Sequence, residues 1–270
     1  MNKGKISIIM GIYNCSKTLP EAIDSILAQT YENWELIMCD DASTDDTYKI
    51  AEKYKNKYPE KIILIRNEKN SKLAFSLNHC LQYATGEYIA RMDGDDKSVP
   101  ERFEKQVQFL KDHPDVHLVG TAMQRFNENG LHDIDYPPET VDRYTLRNKI
   151  PFNHATILTY KYVYDELGGY TVAERTVRGQ DSDLWFRFFH KNFVGVNMQE
   201  ALYLVREDEG AIRRRTIKVR LSTFQTSKMG FKLLGYPKWW IAEKFIVMVI
   251  KCLTPHFILD KYRDYQAKKK

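Results

Sequence analysis

The chain has 270 residues, 43% hydrophobic and 29% charged, enough apolar material for a well-buried core and too much for a disordered polypeptide. Its four cysteines, Cys15, Cys39, Cys80 and Cys252, are widely separated, which argues against a disulfide framework or a zinc site and for a reducing cytoplasm. The net charge of +5 is unevenly spread: residues 211–270 hold 15 Lys and Arg against 3 Asp and Glu, which leaves 26 against 33 in residues 1–210. An acidic body that handles cations and a basic tail that meets something anionic are the expected consequence.

In chain order, Lys5–Ile12, Trp34–Cys39, Lys61–Ile65, Glu87–Met92 and Val116–Gly120 read as short buried strands. Amphipathic helices are predicted between them at 18–29, 45–57, 72–84 and 100–112. Thr18 with Glu21, and Ser43 with Asp46, have the spacing of capping boxes at two helix starts. No charged-then-apolar leader precedes Lys5, so no export signal is expected. Strand–helix–strand units at this spacing predict right-handed crossovers and an α/β fold with a mainly parallel sheet. Further on, a helix is predicted after Pro137-Pro138, a strand at Ala155–Thr159 and a helix at Asp181–Lys191, with the sheet continuing through this part.

Polar residues collect where strands end. Tyr13-Asn14 follows the first, Asp40-Asp41 the second and Asp93-Gly94-Asp95-Asp96 the fourth. In an open parallel sheet, ligands bind beyond the carboxyl ends of the strands, so these segments converge on one edge. Carboxylates gathered there repel one another unless a cation joins them, and an Asp-x-Asp turn offers the hard oxygen ligands that Mg²⁺ or Mn²⁺ takes. Gly94 is expected to allow a tight turn between the ligands. The chain has neither the glycine-rich phosphate loop ending in Gly-Lys-Ser/Thr nor a Gly-x-Gly-x-x-Gly fingerprint, so metal is the expected neutraliser of phosphate charge.

The segments SIIMGIYN, WELIMCDDASTDDT, GEYIARMDGDDKSVPERF and QDSDLWFRF, in this order, resemble the family 2 glycosyltransferases of the GT-A fold over about residues 5–210. That resemblance implies a Rossmann-like GT-A domain over residues 1–210 and a metal-dependent enzyme of the bacterial surface-polysaccharide type. It implies transfer of a sugar from a nucleotide-diphosphate sugar, commonly a UDP-sugar, onto an acceptor hydroxyl with inversion. By the same resemblance Tyr13 lies against the base, Asp41 accepts a hydrogen bond from it, Asp93 contacts the ribose or diphosphate, Asp95 ligates the metal and Asp181 is the catalytic base. From the residues alone, Asp181 also fits a helix-capping role. Asp183 and Trp185 are expected to brace that helix and line the acceptor side. Gln180 stands where the family often has Glu, and Lys72 where it usually has glycine; Lys72 either reaches the diphosphate or points into solvent. Asp208 stands where a histidine often follows Arg206, as a metal or diphosphate contact or as part of a solvated turn. His154 sits where the family builds its acceptor side, although a lone histidine is commonly structural.

Residues 211–270 combine Arg213-Arg214-Arg215, Trp239-Trp240 and an apolar run of only six residues, Phe245–Ile250, far short of the ~20 needed to span a bilayer. This reads as a basic, amphipathic helical extension lying on an anionic membrane surface, against the alternative of a helical pair packed on the body. It suits a peripheral enzyme at the cytoplasmic face with a lipid-linked glycan acceptor. Two rival functions are a sugar-phosphate nucleotidyltransferase, which should carry a basic, glycine-rich loop after Tyr13, and a binding protein acting through the tail. Nucleic acid is not an expected partner, because the acidic body would repel its phosphates.

Overall fold

The structure is a computed structural model and describes residues 2–207 and 216–254. In chain order the elements are β1 (Asn2–Ile12), α1 (Leu19–Leu27), β2 (Trp34–Asp40), α2 (Thr47–Lys57), β3 (Ile62–Arg66), α3 (Leu73–Tyr83) and β4 (Gly86–Arg91). Then follow β5 (Lys97–Ser98), α4 (Arg102–Asp112), β6 (Leu118–Asn127), β7 (Gly130–Asp135), β8 (Leu158–Tyr160) and α5 (Lys161–Leu167). The last are α6 (Gln180–His190), β9 (Gly195–Arg206), α7 (Ile217–Leu233) and α8 (Lys238–Leu253).

The nine strands form one sheet in the order β3-β2-β1-β4-β8-β6-β9-β5, with β7 paired to β6. Strands β3, β2, β1 and β4 run parallel, so all four end at the same edge. Only β8 runs against both its neighbours, and the sheet continues through β6 and β9 as expected.

Alternation along β1 builds two cores from one strand. Ile6, Ile8, Met10 and Ile12 face one side with the apolar residues of α1, α2 and α4. Ile9 faces the other, with those of α3, α5, α6 and α7. A period of two on the strand and covering helices on both faces produce a three-layer α/β arrangement. All seven residues of β2 are buried, the apolar run Leu36–Cys39 together with the carboxylates of Glu35 and Asp40 that flank it. Arg102, itself fully buried, donates from its guanidinium to the carbonyls of Arg91, Ala155 and Ile157 and so ties β4 to the segment leading into β8.

Several local expectations are corrected. Thr18 precedes α1 but makes no side-chain cap; its hydroxyl donates to the carbonyls of Cys15 and Gly94, holding the loop after β4. The Ser43–Asp46 box does not form either: Ser43 Oγ accepts from Asn14 N–H, and α2 starts at Thr47 with Asp45 accepting from its N–H. The helix predicted after Pro137-Pro138 is a single 3-10 turn, Arg143–Arg147, because the preceding stretch bridges Thr140 to Val196 in extended form. The β6–β7 hairpin is an element the sequence reading leaves out, although Asn129-Gly130 is a hairpin signal and Gly130 adopts φ 116°.

The start of the C-terminal extension packs on the body. Phe231 of α7 is fully buried against the ring of Phe186 on α6, and Thr226 donates to the carbonyl of Arg175. Trp240 and Ile241 of α8 reach the same core. Arg213-Arg214-Arg215 and the terminal lysines lie outside the described residues.

Candidate active site

The parallel strands deliver their termini side by side. Ile12 of β1 pairs with Asp40 of β2, and Ile9 of β1 pairs with Arg91 of β4. With strands about 4.8 Å apart, the segments following β2 and β4 flank β1 about 10 Å apart sideways, β4 ending three residues, about 10 Å, short of the level at which β2 ends. The turn after β1 is laced to the turn after β2: Asn14 Oδ1 accepts from Thr44 N–H at 2.9 Å, and Asp41 N–H donates to Ile12 O at 2.9 Å. Tyr13 is left 47% exposed over the opening.

Asp41 is buried and organises the wall beside it. Its carboxylate accepts from Asn67 Nδ2 at 2.8 Å, Ser71 N–H at 2.7 Å and Lys72 N–H at 2.9 Å, so it shapes the loop between β3 and α3. A carboxylate has about four acceptor positions, and one remains on Oδ2. Asn67 is in turn held by His79 Nδ1 at 2.9 Å. Neither Asn67 nor His79 was legible as a site residue, since partners supporting a carboxylate carry no motif of their own. Tyr13, Asp41, Asn70, Lys72, Leu73 and Ser76 line a cavity of about 240 Å³.

Lys72 stands out on this wall. Its backbone has φ 73° and ψ 164°, a region restricted almost entirely to glycine and costing about 1–3 kcal/mol for another residue. The hydrogen bond from its N–H to Asp41 holds it there. Lys72→Gly is expected to raise thermal stability, the relieved strain exceeding the roughly 0.5–1 kcal/mol of extra chain entropy that glycine loses on folding. Melting curves check this, and a lower melting temperature would show the strain to be absent.

Beyond β4, oxygens of Asp93, Asp95 and Asp96 lie within 4.8 Å of one another. Asp93 forms a bidentate ion pair with the buried Arg91. Asp96, buried, accepts from Tyr203 Oη at 2.9 Å and Arg206 N–H at 2.8 Å. Asp95 is the exposed member. Burial first, then the neighbouring carboxylates, push Asp96 up to about 7; Asp95 keeps an open surface, yet protein packed around its carboxyl and then the charge of Asp93 raise it above the usual carboxylate range. Arg91 pairs with Asp93 and Arg206 Nε donates to the carbonyl of Asp95, so two guanidinium groups face three carboxylates, and the hard oxygen donors fit a divalent cation. Gly94 is needed for contact rather than for turning: a Cβ there would lie 3.0 Å from Cys15 Sγ and 3.2 Å from Ile12 Cγ2, and its φ is not positive. Arg91 and Tyr203, which hold this cluster, were missed by the sequence reading; an arginine two residues before the first aspartate was the available signal.

Asp181 lies in the first turn of α6, which starts after Gly179 at φ 110°. The helix is anchored by Leu184, Trp185, Phe186, Phe188 and Phe189, all buried and each contributing about 1.5–3 kcal/mol. Asp181 accepts from Ser182 N–H at 2.7 Å and is not the N-cap. Burial raises its pKa, opposed by that hydrogen bond and by the charge of Arg91, so the guanidinium acts on both Asp93 and Asp181. Asp183 braces α6 as expected, accepting from Thr171, Arg175 and Arg187. Trp185 does not line an open surface: it is fully buried against Phe152 and Phe188. His154 is structural too. Its Nε2 pairs with Tyr170 Oη at 2.7 Å, and burial holds it well below its usual pKa, hence neutral. Asp208 lies outside the described residues.

The chain is 52% identical over 217 residues to the putative glycosyltransferase EpsE of Bacillus subtilis (strain 168), covering 80% of this chain and 78% of that one. It is 42% identical over 106 residues to WfaP of Escherichia coli, named as a UDP-Glc:alpha-D-GlcNAc-diphosphoundecaprenol beta-1,3-glucosyltransferase, covering 39% and 41% of the two chains. Among solved structures, Staphylococcus aureus TarS 1–349 with UDP-GlcNAc superimposes with a TM-score of 0.71 at 19% identity, over 98% of this chain and 76% of that one. The mannosyltransferase PcManGT of Pyrobaculum calidifontis, with GDP-Man and Mn²⁺, does so with a TM-score of 0.64 at 19% identity, over 97% and 80%. The fold is therefore GT-A, and with the glycosyl transferase family 2 model matching residues 7–168, the chain belongs to that family of glycosyltransferases.

Proposed function

We propose that this glycosyltransferase uses a divalent cation to bind a UDP-sugar and transfers the sugar, with inversion, to a hydroxyl of a lipid-linked glycan in bacterial surface-polysaccharide synthesis. The observation that carries the reading is the adjacency of the Tyr13–Asp41 cavity to the Asp93–Asp95–Asp96 cluster on one sheet edge. Tyr13 stacks on the base, and the remaining acceptor position of Asp41 takes an N–H of uracil. Asp95, backed by Asp93 and Asp96, holds the cation. When bound, Mn²⁺ or Mg²⁺ supplies Lewis-acid stabilisation of the leaving diphosphate. Asp181 takes the proton of the attacking hydroxyl, and Arg91 orients Asp93. WfaP supports both the UDP donor and the lipid-linked acceptor, and PcManGT supports Mn²⁺. UDP with Mn²⁺ is expected to raise the melting temperature well above UDP with chelator or GDP with Mn²⁺; a screen in which no nucleoside diphosphate shifts the transition would refute the reading.

Membrane attachment belongs to the same reading. No helix among the described residues is long and apolar enough to cross a bilayer. Yet Trp239, Ile246, Ile250 and Leu253 form one stripe on α8 and are 59%, 56%, 56% and 79% exposed, beside Lys238 and Lys251. Such a stripe suits an anionic leaflet, with apolar side chains buried in it and each lysine adding about 1 kcal/mol. Ile246→Ser with Ile250→Ser should reduce co-sedimentation with anionic vesicles roughly tenfold or more, since each lost isoleucine removes about 1.5–3 kcal/mol of burial. Unchanged sedimentation would detach the membrane from the proposal.

A further inference from the structure

A second cavity, also of about 240 Å³, shares Lys72 with the first and is lined besides by Glu174, Val177, Arg178, Lys218 and Ser222. We propose that it binds the phosphate-bearing head of the acceptor, so that the enzyme glycosylates the sugar next to a lipid-linked phosphate or diphosphate. This rests on the glycosyltransferase reading and names the acceptor class for the same site.

Charge comes first. Three cations face one carboxylate, and Glu174 is tied to Lys218 at 2.8 Å in a pair whose side chains are both 77% exposed. An exposed pair of that kind is weak and easily exchanged for a phosphate. Arg178 makes no ion pair with a described carboxylate, and its planar fork suits phosphate oxygens. The first turn of α7, where Thr216 Oγ1 accepts from Val219 N–H, closes the wall and adds the partial positive charge of a helix start. A neutral sugar needs none of this.

Position comes second. Arg178 precedes Asp181 by three residues, so their Cα atoms are at most about 11 Å apart whatever the path between them. An anion held by Arg178 is therefore bound by the same short segment that carries the base, which suits an attacking hydroxyl on the sugar attached to that anion rather than on a remote one. Lys72 lines both this cavity and the nucleotide cavity and is held in a strained backbone conformation. The helix that forms this cavity packs against α8, whose apolar stripe faces outward, so an acceptor anchored in a bilayer has its headgroup site beside its anchor.

The test is titration calorimetry of the full chain saturated with UDP and Mn²⁺, with farnesyl diphosphate, inorganic pyrophosphate and farnesol as probes. Farnesyl diphosphate is expected to bind with UDP in place, farnesol not to bind, and Arg178→Gln with Lys218→Gln to weaken farnesyl diphosphate at least tenfold, as the loss of charge-assisted hydrogen bonds requires. Both residues are on the surface, so the variant should fold, and UDP should bind it within twofold of the parent. Equal farnesyl diphosphate affinity in parent and variant would overturn the proposal, as would farnesyl diphosphate binding only by displacing UDP. Inorganic pyrophosphate binding as tightly as farnesyl diphosphate would assign the cavity to a free anion and likewise overturn it. Absence of UDP binding would instead count against the donor reading, and the farnesyl diphosphate arm would still decide this one.

Discussion

Asp181→Asn is expected to lower the rate of sugar transfer at least about a hundredfold while leaving the affinity for the donor nucleotide nearly unchanged, since a positioned base contributes ~10²–10⁴-fold. Asp181 sits in the first turn of a helix pinned by five buried apolar side chains, so its carboxylate is aimed rather than searching. Burial also raises its pKa, which moves it toward the strength a base needs near neutral pH. Activity should therefore fall on acidification at a higher pH than an ordinary carboxylate would give, because the protonated form cannot accept. The sign for stability is opposite to that of an ion-paired aspartate. A carboxyl with a raised folded-state pKa destabilises the fold progressively as pH rises above its unfolded value, so a neutral amide removes that cost and the variant should melt no lower than the parent. Rate measurements under donor saturation, with UDP titration alongside, separate the outcomes. Transfer within a few-fold of the parent would remove Asp181 from the chemistry, and a matching loss of UDP affinity would make it a structural residue.

Asp95→Ala is expected to abolish the part of UDP affinity that depends on Mn²⁺, a loss of at least about tenfold measured as the ratio of dissociation constants with metal and with chelator. Of the three clustered aspartates it is the exposed one. Asp93 is engaged by Arg91, and Asp96 is spent on Tyr203 Oη and the N–H of Arg206. Removing the Asp95 carboxylate also removes like-charge repulsion from its neighbours, so the apo protein should be no less stable. A metal-to-chelator ratio equal to that of the parent would take Asp95 out of cation binding.

How the site could be read in advance differed residue by residue. The placement of Tyr13, Asp41, Asp93 and Asp95 at one sheet edge was legible because each lies within four residues of the end of a strand with a strong apolar signature, and parallel strands end at the same edge. Asp181 drew notice through the family resemblance of the segment that holds Asp183 and the apolar residues after it on α6. The supporting groups were not legible. Asn67, His79 and Tyr203 act on residues 26, 12 and 107 positions away, through hydrogen bonds that exist only in the folded chain, and Arg91, two residues from Asp93, lay outside every motif. Local rules failed where a long-range partner outbid them: Thr18 gave up its helix cap for the carbonyl of Gly94, 76 residues on.

By itself the amino-acid order determined the periodicities, two along strands and near 3.6 along helices, and with them the layers, the parallel sheet and the edge at which its carboxylates gather. Tertiary contact alone decided which aspartate stays exposed, why Lys72 is held where glycine would be at ease, and that α7 turns Phe231 into the core while α8 keeps an apolar stripe outside. The reason is physical: burial periodicity is written in neighbouring residues, whereas charge, strain and exposure are set by whatever the rest of the chain brings alongside.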